Sequence, residues 1–131
     1  MNAIEIRGLV KRFKTFTLGP IDMNVPQGGI YGYIGPNASG KTTTIDMIMG
    51  MGREDEGKIT VLGFDSHAQE AEFKLQTGYA SPDLNYGMWG KVSKAIRFVR
   101  GFYPQWDQVE CDRLMDLFEL DPNQKIQSLS F

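Results

Sequence analysis

Apolar and polar residues alternate at the start of the chain. Ile4 and Ile6 alternate with Glu5 and Arg7, and Ile21, Met23 and Val25 alternate with Asp22 and Asn24. A period of two puts one face of a strand in a core and the other in water. Pro26-Gln27-Gly28-Gly29 follows as a turn signal. The run Ile30-Tyr31-Gly32-Tyr33-Ile34 is apolar at both alternations, which predicts a central strand covered on both faces. Beyond Gly40 the period changes. Ile45, Ile48 and Met49 fall at helical spacing, and Gly50 or Gly52 can end the helix. Residues 58–62 read as a short strand, 68–76 as a short polar helix and 77–81 as another strand. In the last third, Val92, Ile96, Val99 and Tyr103 make one helical stripe, ended by Pro104. Asp107 and Glu110 have capping-box spacing, and Cys111, Leu114, Met115 and Phe118 follow as a second stripe. Core packing is the reading of both stripes. Asp121-Pro122-Asn123 is a turn.

The length of 131 residues allows one domain with one core. A 41% apolar and 23% charged composition excludes a wholly disordered chain. The net charge of -2 argues against nucleic acid as a partner held by bulk positive charge. Cys111, the single cysteine, cannot form an internal disulfide, which fits a reducing compartment. No apolar run has the length of a membrane span.

The chemistry lies between the fourth and fifth of these segments. Gly35-Pro36-Asn37-Ala38-Ser39-Gly40-Lys41-Thr42 fits Gly-x-x-x-x-Gly-Lys-Ser/Thr, with an apolar run before it and a helix after. Such a loop curls so that backbone N–H groups converge on phosphate oxygens. Its glycines permit that backbone and a close approach of the ligand. Lys41 brings a point charge to the β- and γ-phosphates, and the Thr42 hydroxyl is a ligand for Mg. The positive end of the helix faces the same anion.

With these residues, the chain resembles the ATP-binding subunits of ABC transporters. Gly35 to Thr44 is similar to that family's Walker A loop, and 6–13 to its first strand, which ends at an aromatic residue. Residues 56–63 resemble the strand after the loop helix, and Thr77-Gly78-Tyr79 the strand entering the Q-loop. Residues 102–107 are similar to a stretch of some bacterial exporter-type members, which leans toward export. The resemblance implies an α/β fold: a P-loop NTPase core, an N-terminal antiparallel β subdomain and the start of a helical subdomain. The corresponding segments are 1–30 for the β subdomain, 31–90 for the core and 91–131 for the helical portion. It implies ATP and Mg as cofactors, membrane-spanning subunits and a second ATP-binding subunit as partners, and a cytoplasmic place at the inner face of a membrane. Phe13 sits where the family stacks a ring on adenine; packing within a strand is the other reading, shared with Phe16. Ser39, Gly40, Lys41, Thr42 and Thr43 would hold the phosphates and metal.

Three departures qualify this picture. Ala38 replaces the family's usual glycine, and a methyl group there is strained if φ is positive. Pro82 falls where the family has its Q-loop glutamine; Asp83 beside it is either a substitute oxygen ligand for Mg or an exposed turn residue. Leu129-Ser130-Phe131 resembles the opening of the signature loop Leu-Ser-Gly-Gly-Gln. The family's Walker B strand, catalytic glutamate and switch histidine have no counterpart in this sequence. His67 is expected to be a surface residue. The resemblance therefore predicts the N-terminal part of an ABC-type ATPase, cut at the signature loop, that binds nucleotide with little or no turnover. The strands at 30–34 and 77–81 should then have unpaired edges. Another P-loop enzyme is the second reading. Arg97 and Arg100 are thin evidence for a kinase lid, and no Asn-Lys-x-Asp motif marks a GTPase. A non-hydrolysing nucleotide or interaction module is the third.

Overall fold

The computed structural model describes residues 1–81, 84 and 86–129. These fall into two units, Met1–Thr77 and Gly78–Phe131.

The first unit is built on a four-stranded antiparallel sheet. Its strands are β1 (Asn2–Arg12), β2 (Thr17–Pro26), β3 (Glu56–Val61) and β4 (Phe64–Asp65), in the order β2-β1-β3-β4. The alternation that predicts β1 and β2 is borne out: Ile6 pairs with Met23 and with Ile59, and all three are buried. Asp22 and Asn24 face water. Two helices cover the sheet's apolar residues, α1 (Lys41–Ile48) and α2 (Glu70–Lys74). Phe73 is the anchor of α2 and is 0% exposed. The helix following Gly40 is present, but its buried residues are Thr44, Met47 and Ile48, while Ile45 is exposed. The helix thus turns a neighbouring face to the core, and a buried threonine fills a position that hydrophobicity alone does not mark.

Two expected strands do not form. Residues 30–34 form no strand and pair with nothing among the described residues, and Ile30 and Ile34 are almost fully exposed. Only Tyr33 of this run reaches the core. Residues 77–81 likewise form no strand. The physical reason is common to both. A strand exists by pairing with a neighbour, and an apolar run cannot satisfy its own N–H and C=O groups.

The second unit contains α3 (Val92–Arg100), α4 (Gln108–Leu117) and short 3₁₀ turns at Gly87–Trp89 and Ile126–Ser128. The chain returning after α4 closes the start of α3. Val92 N–H donates to Gln124 O at 3.0 Å and Ser93 N–H to Pro122 O at 2.9 Å. Asp107 caps α4 as its spacing predicts, accepting from Glu110 N–H at 2.9 Å. The reciprocal half of the capping box is replaced, because the Glu110 carboxylate accepts from Arg113 at 2.7 Å. The α4 stripe is less buried than core packing requires. Cys111 and Met115 are half-buried, whereas Leu114, Leu117 and Phe118 are exposed. Together with Ile96, Tyr103 and Trp106, parts of it line an open apolar groove of about 530 Å³. Burial pushes the Cys111 thiol up from its ordinary pKa, which makes it a poor nucleophile.

Candidate functional site

The loop at 35–40 joins residues 30–34 to α1, and its backbone supplies the curl. Ala38 has φ 61° and Gly40 has φ 89°. Left-handed residues spaced in this way turn successive N–H groups toward a concave side. Ser39 N–H donates to Pro36 O at 3.3 Å and tightens the bend. A side chain at Gly40 would be strained and would push Leu18 aside. A Cβ there would lie 2.5 Å from Leu18 Cδ1, in a conformation that disfavours side chains as well. A Cβ on Gly35 would lie 2.9 Å from Ser39 Oγ. Leu18 is therefore the floor under the end of the loop. The motif itself gives no sign of it, since Leu18 reads only as an apolar strand position.

The start of α1 differs from the starts of α3 and α4. No side chain caps α1. Its first intrahelical bond runs from Thr44 N–H to Gly40 O at 2.9 Å. The N–H groups of Lys41, Thr42 and Thr43 precede that bond and have no intrahelical acceptor. In α3 the N–H groups of Val92, Ser93 and Lys94 are taken by the chain's own carbonyls, and in α4 that of Glu110 is taken by Asp107. Thr44 Oγ1 also donates to Gly40 O, at 2.9 Å, and lies 3.4 Å from the Tyr33 hydroxyl. These contacts tie the segment before the loop to the helix after it.

Lys41 folds back over the loop. Its Nζ donates to Gly35 O and Pro36 O, each at 2.6 Å. Six residues of loop are thus closed by one ammonium. Thr42 and Ser39 are exposed, as is Asn37. The Thr42 hydroxyl makes no hydrogen bond among the described residues. The donor set suits a polyphosphate: N–H groups without acceptors, one ammonium and no carboxylate within the loop. The free hydroxyl of Thr42 suits a hard divalent cation such as Mg, which takes oxygen ligands.

Phe13 and Phe16 lie at the tip of the β1–β2 hairpin. Their ring centroids are 4.8 Å apart and the planes differ by 11°. Both rings are outside the core, at 41% and 43% exposure. Packing inside a strand is thereby excluded for either. Asp83 lies outside the described residues, as do Pro82, Ser130 and Phe131. His67 is not the surface residue expected. Its Nε2 is 2.6 Å from Glu54 Oε2, and both side chains are mostly buried. The cause is the turn after β4. Asp65 accepts from the N–H groups of His67 and Ala68 at 3.1 and 3.0 Å, and this turn carries His67 onto the loop before β3. Those two N–H groups hold the Asp65 carboxyl below its usual pKa, with a smaller contribution from Lys58.

The sheet, the loop and the helix beyond it define a P-loop NTPase fold of the α/β class. Comparison with known proteins agrees and goes further. A solved ATP-binding subunit of an ABC transporter superposes with a TM-score of 0.76 at 20% identity, over 98% of this chain and 56% of that one. The daunorubicin/doxorubicin resistance ATP-binding protein DrrA of Streptomyces peucetius is 47% identical over 64 residues, 48% of this chain and 19% of its own length. The lipopolysaccharide export system ATP-binding protein LptB of Haemophilus influenzae is 26% identical over 127 residues, 92% of this chain and 53% of its own. The family model for ABC transporters matches residues 18–131. The chain belongs to the ABC transporter family. It spans about half the length of LptB and about a fifth of that of DrrA. No helix among the described residues is long and apolar enough to cross a membrane.

Proposed function

We propose that residues 35–43 bind the triphosphate of Mg-ATP. The chain would act as ATP-binding machinery of an ABC transporter. The observation that carries this reading is the start of α1, the one long helix here whose first-turn N–H groups meet neither a side-chain cap nor a backbone carbonyl among the described residues. Gly35, Pro36, Asn37, Ala38, Ser39 and Gly40 form the cradle. Lys41 leaves the Gly35 and Pro36 carbonyls for the β- and γ-phosphates, and the N–H groups of Thr42 and Thr43 complete the donor set. Thr42 would hold Mg through its hydroxyl. Phe13 takes the base.

Mg held at Thr42 would supply charge neutralisation on the phosphates. These residues bind, orient and hold; we assign them no group that orients the attacking water. In the complete protein, hydrolysis would energise transport through membrane-spanning subunits at the cytoplasmic face, with a second ATP-binding subunit as partner.

A thermal-shift titration with Mg-ATP tests the proposal. Ligand at about 100 times its dissociation constant stabilises the native chain by roughly 2.7 kcal/mol. That shift is expected for the wild type and lost in Lys41→Ala. No shift in the wild type, or an equal shift in both, refutes it.

A further inference from the structure

We infer that Phe16 is a positioning residue for the nucleotide base, acting through its stack on Phe13. The inference rests on the nucleotide-binding reading above. The two rings are nearly parallel, and Phe13 N–H donates to Phe16 O at 2.8 Å, so the tip of the hairpin is closed where the rings meet. A phenylalanine alone at a hairpin tip turns freely about its side-chain bonds. Here Phe16 covers one face of Phe13 and fixes its plane. Only outer faces remain open to a third planar ring.

The position of the stack supplies the reason to assign it to a ligand. Phe16 precedes Leu18 by two residues, the spacing that shares a face of an extended chain. Leu18 is the residue packed under Gly40 at the end of the phosphate loop. The strand leaving the aromatic tip thus seats directly on the loop. Nothing in the core accounts for the rings, because both remain about two-fifths exposed. A prearranged pair lowers the ordering cost of stacking a base, and neither ring carries a hydrogen-bonding group to select among bases.

Titrations of the full chain with Mg-ATP and with Mg-tripolyphosphate test this. The variants are Phe16→Leu, Phe16→Tyr, Phe13→Leu and Lys41→Ala, with the melting temperature as a fold control. Base stacking on an aromatic ring is worth about 1–3 kcal/mol, so Phe13→Leu should weaken Mg-ATP by about ten-fold or more. Phe16→Leu should weaken Mg-ATP by roughly five-fold and leave tripolyphosphate unchanged. Phe16→Tyr, which keeps the ring, should restore Mg-ATP affinity. Overturning results are Phe16→Leu binding Mg-ATP as the wild type does, or losing both ligands equally. Failure of the wild type to bind either probe, or indifference of both to Lys41→Ala, overturns the nucleotide-binding reading and this inference with it.

Discussion

At the scale of the residue, Ala38 carries the clearest cost. Its φ of 61° lies in the left-handed region, where an L side chain loses about 1–2 kcal/mol. The family's glycine would not meet this cost, though glycine gives more entropy to the unfolded chain, roughly 0.4–1 kcal/mol. Ala38→Gly is therefore expected to stabilise the chain by about 0.5–1 kcal/mol. Urea denaturation reads this directly, and a lower midpoint in the variant would contradict the backbone argument. The strain was visible in the sequence only as a condition, since residue type at 38 departs from the pattern but does not reveal φ. Lys41 shows the same limit. Its presence is explicit in the motif, whereas its hold on the Gly35 and Pro36 carbonyls is a matter of loop closure.

At the scale of the element, the turn after β4 offers a test of electrostatics. Asp65 accepts two backbone N–H groups, and its carboxyl pKa is lowered by them. A carboxylate whose pKa is lower in the folded state stabilises that state above its unfolded pKa. The contribution is lost as the pH falls through the folded value. For an aspartate the loss sets in below about pH 4. Asp65→Asn keeps an oxygen to accept both N–H groups but cannot titrate. Its urea midpoint should therefore fall less than the wild type's between about pH 6 and pH 3. Parallel slopes would show that the turn does not depend on the ionised carboxylate. Elements with one wet face were the legible ones, because alternation is their signature: β1 and β2 follow their patterns. Residues 30–34 and 77–81 were not legible. Their apolar runs state a demand for burial, and strand formation depends on a neighbour that no local pattern encodes.

At the scale of the whole molecule, the two units differ in how they use aromatic residues. In the first, Phe73 is 0% exposed and joins Ile6, Leu9, Met47 and Ile59 in one buried cluster. That cluster sets α1, and hence the start of the phosphate loop helix, against the sheet. In the second, Phe98 stacks on Trp89 at 4.0 Å and meets Phe102 edge-on, yet remains 45% exposed. The sequence presents both residues alike, as aromatics in short helices. What separates them is tertiary: one points into a sheet-backed core, the other along a helix face open to solvent. Phe73→Ala removes a ring from a site that cannot collapse freely, and should cost about 3–5 kcal/mol. Phe98→Ala loses chiefly its ring pairs and should cost about 1 kcal/mol. Chemical denaturation of the two variants measures both. If the loop before α1 binds Mg-ATP as proposed, that variant should also bind it more weakly in proportion to its unfolded fraction, because α1 rests on the cluster around Phe73, while Phe98→Ala binds as the wild type does. Equal destabilisation by the two substitutions would mean that the buried cluster is not what holds the phosphate loop helix in place.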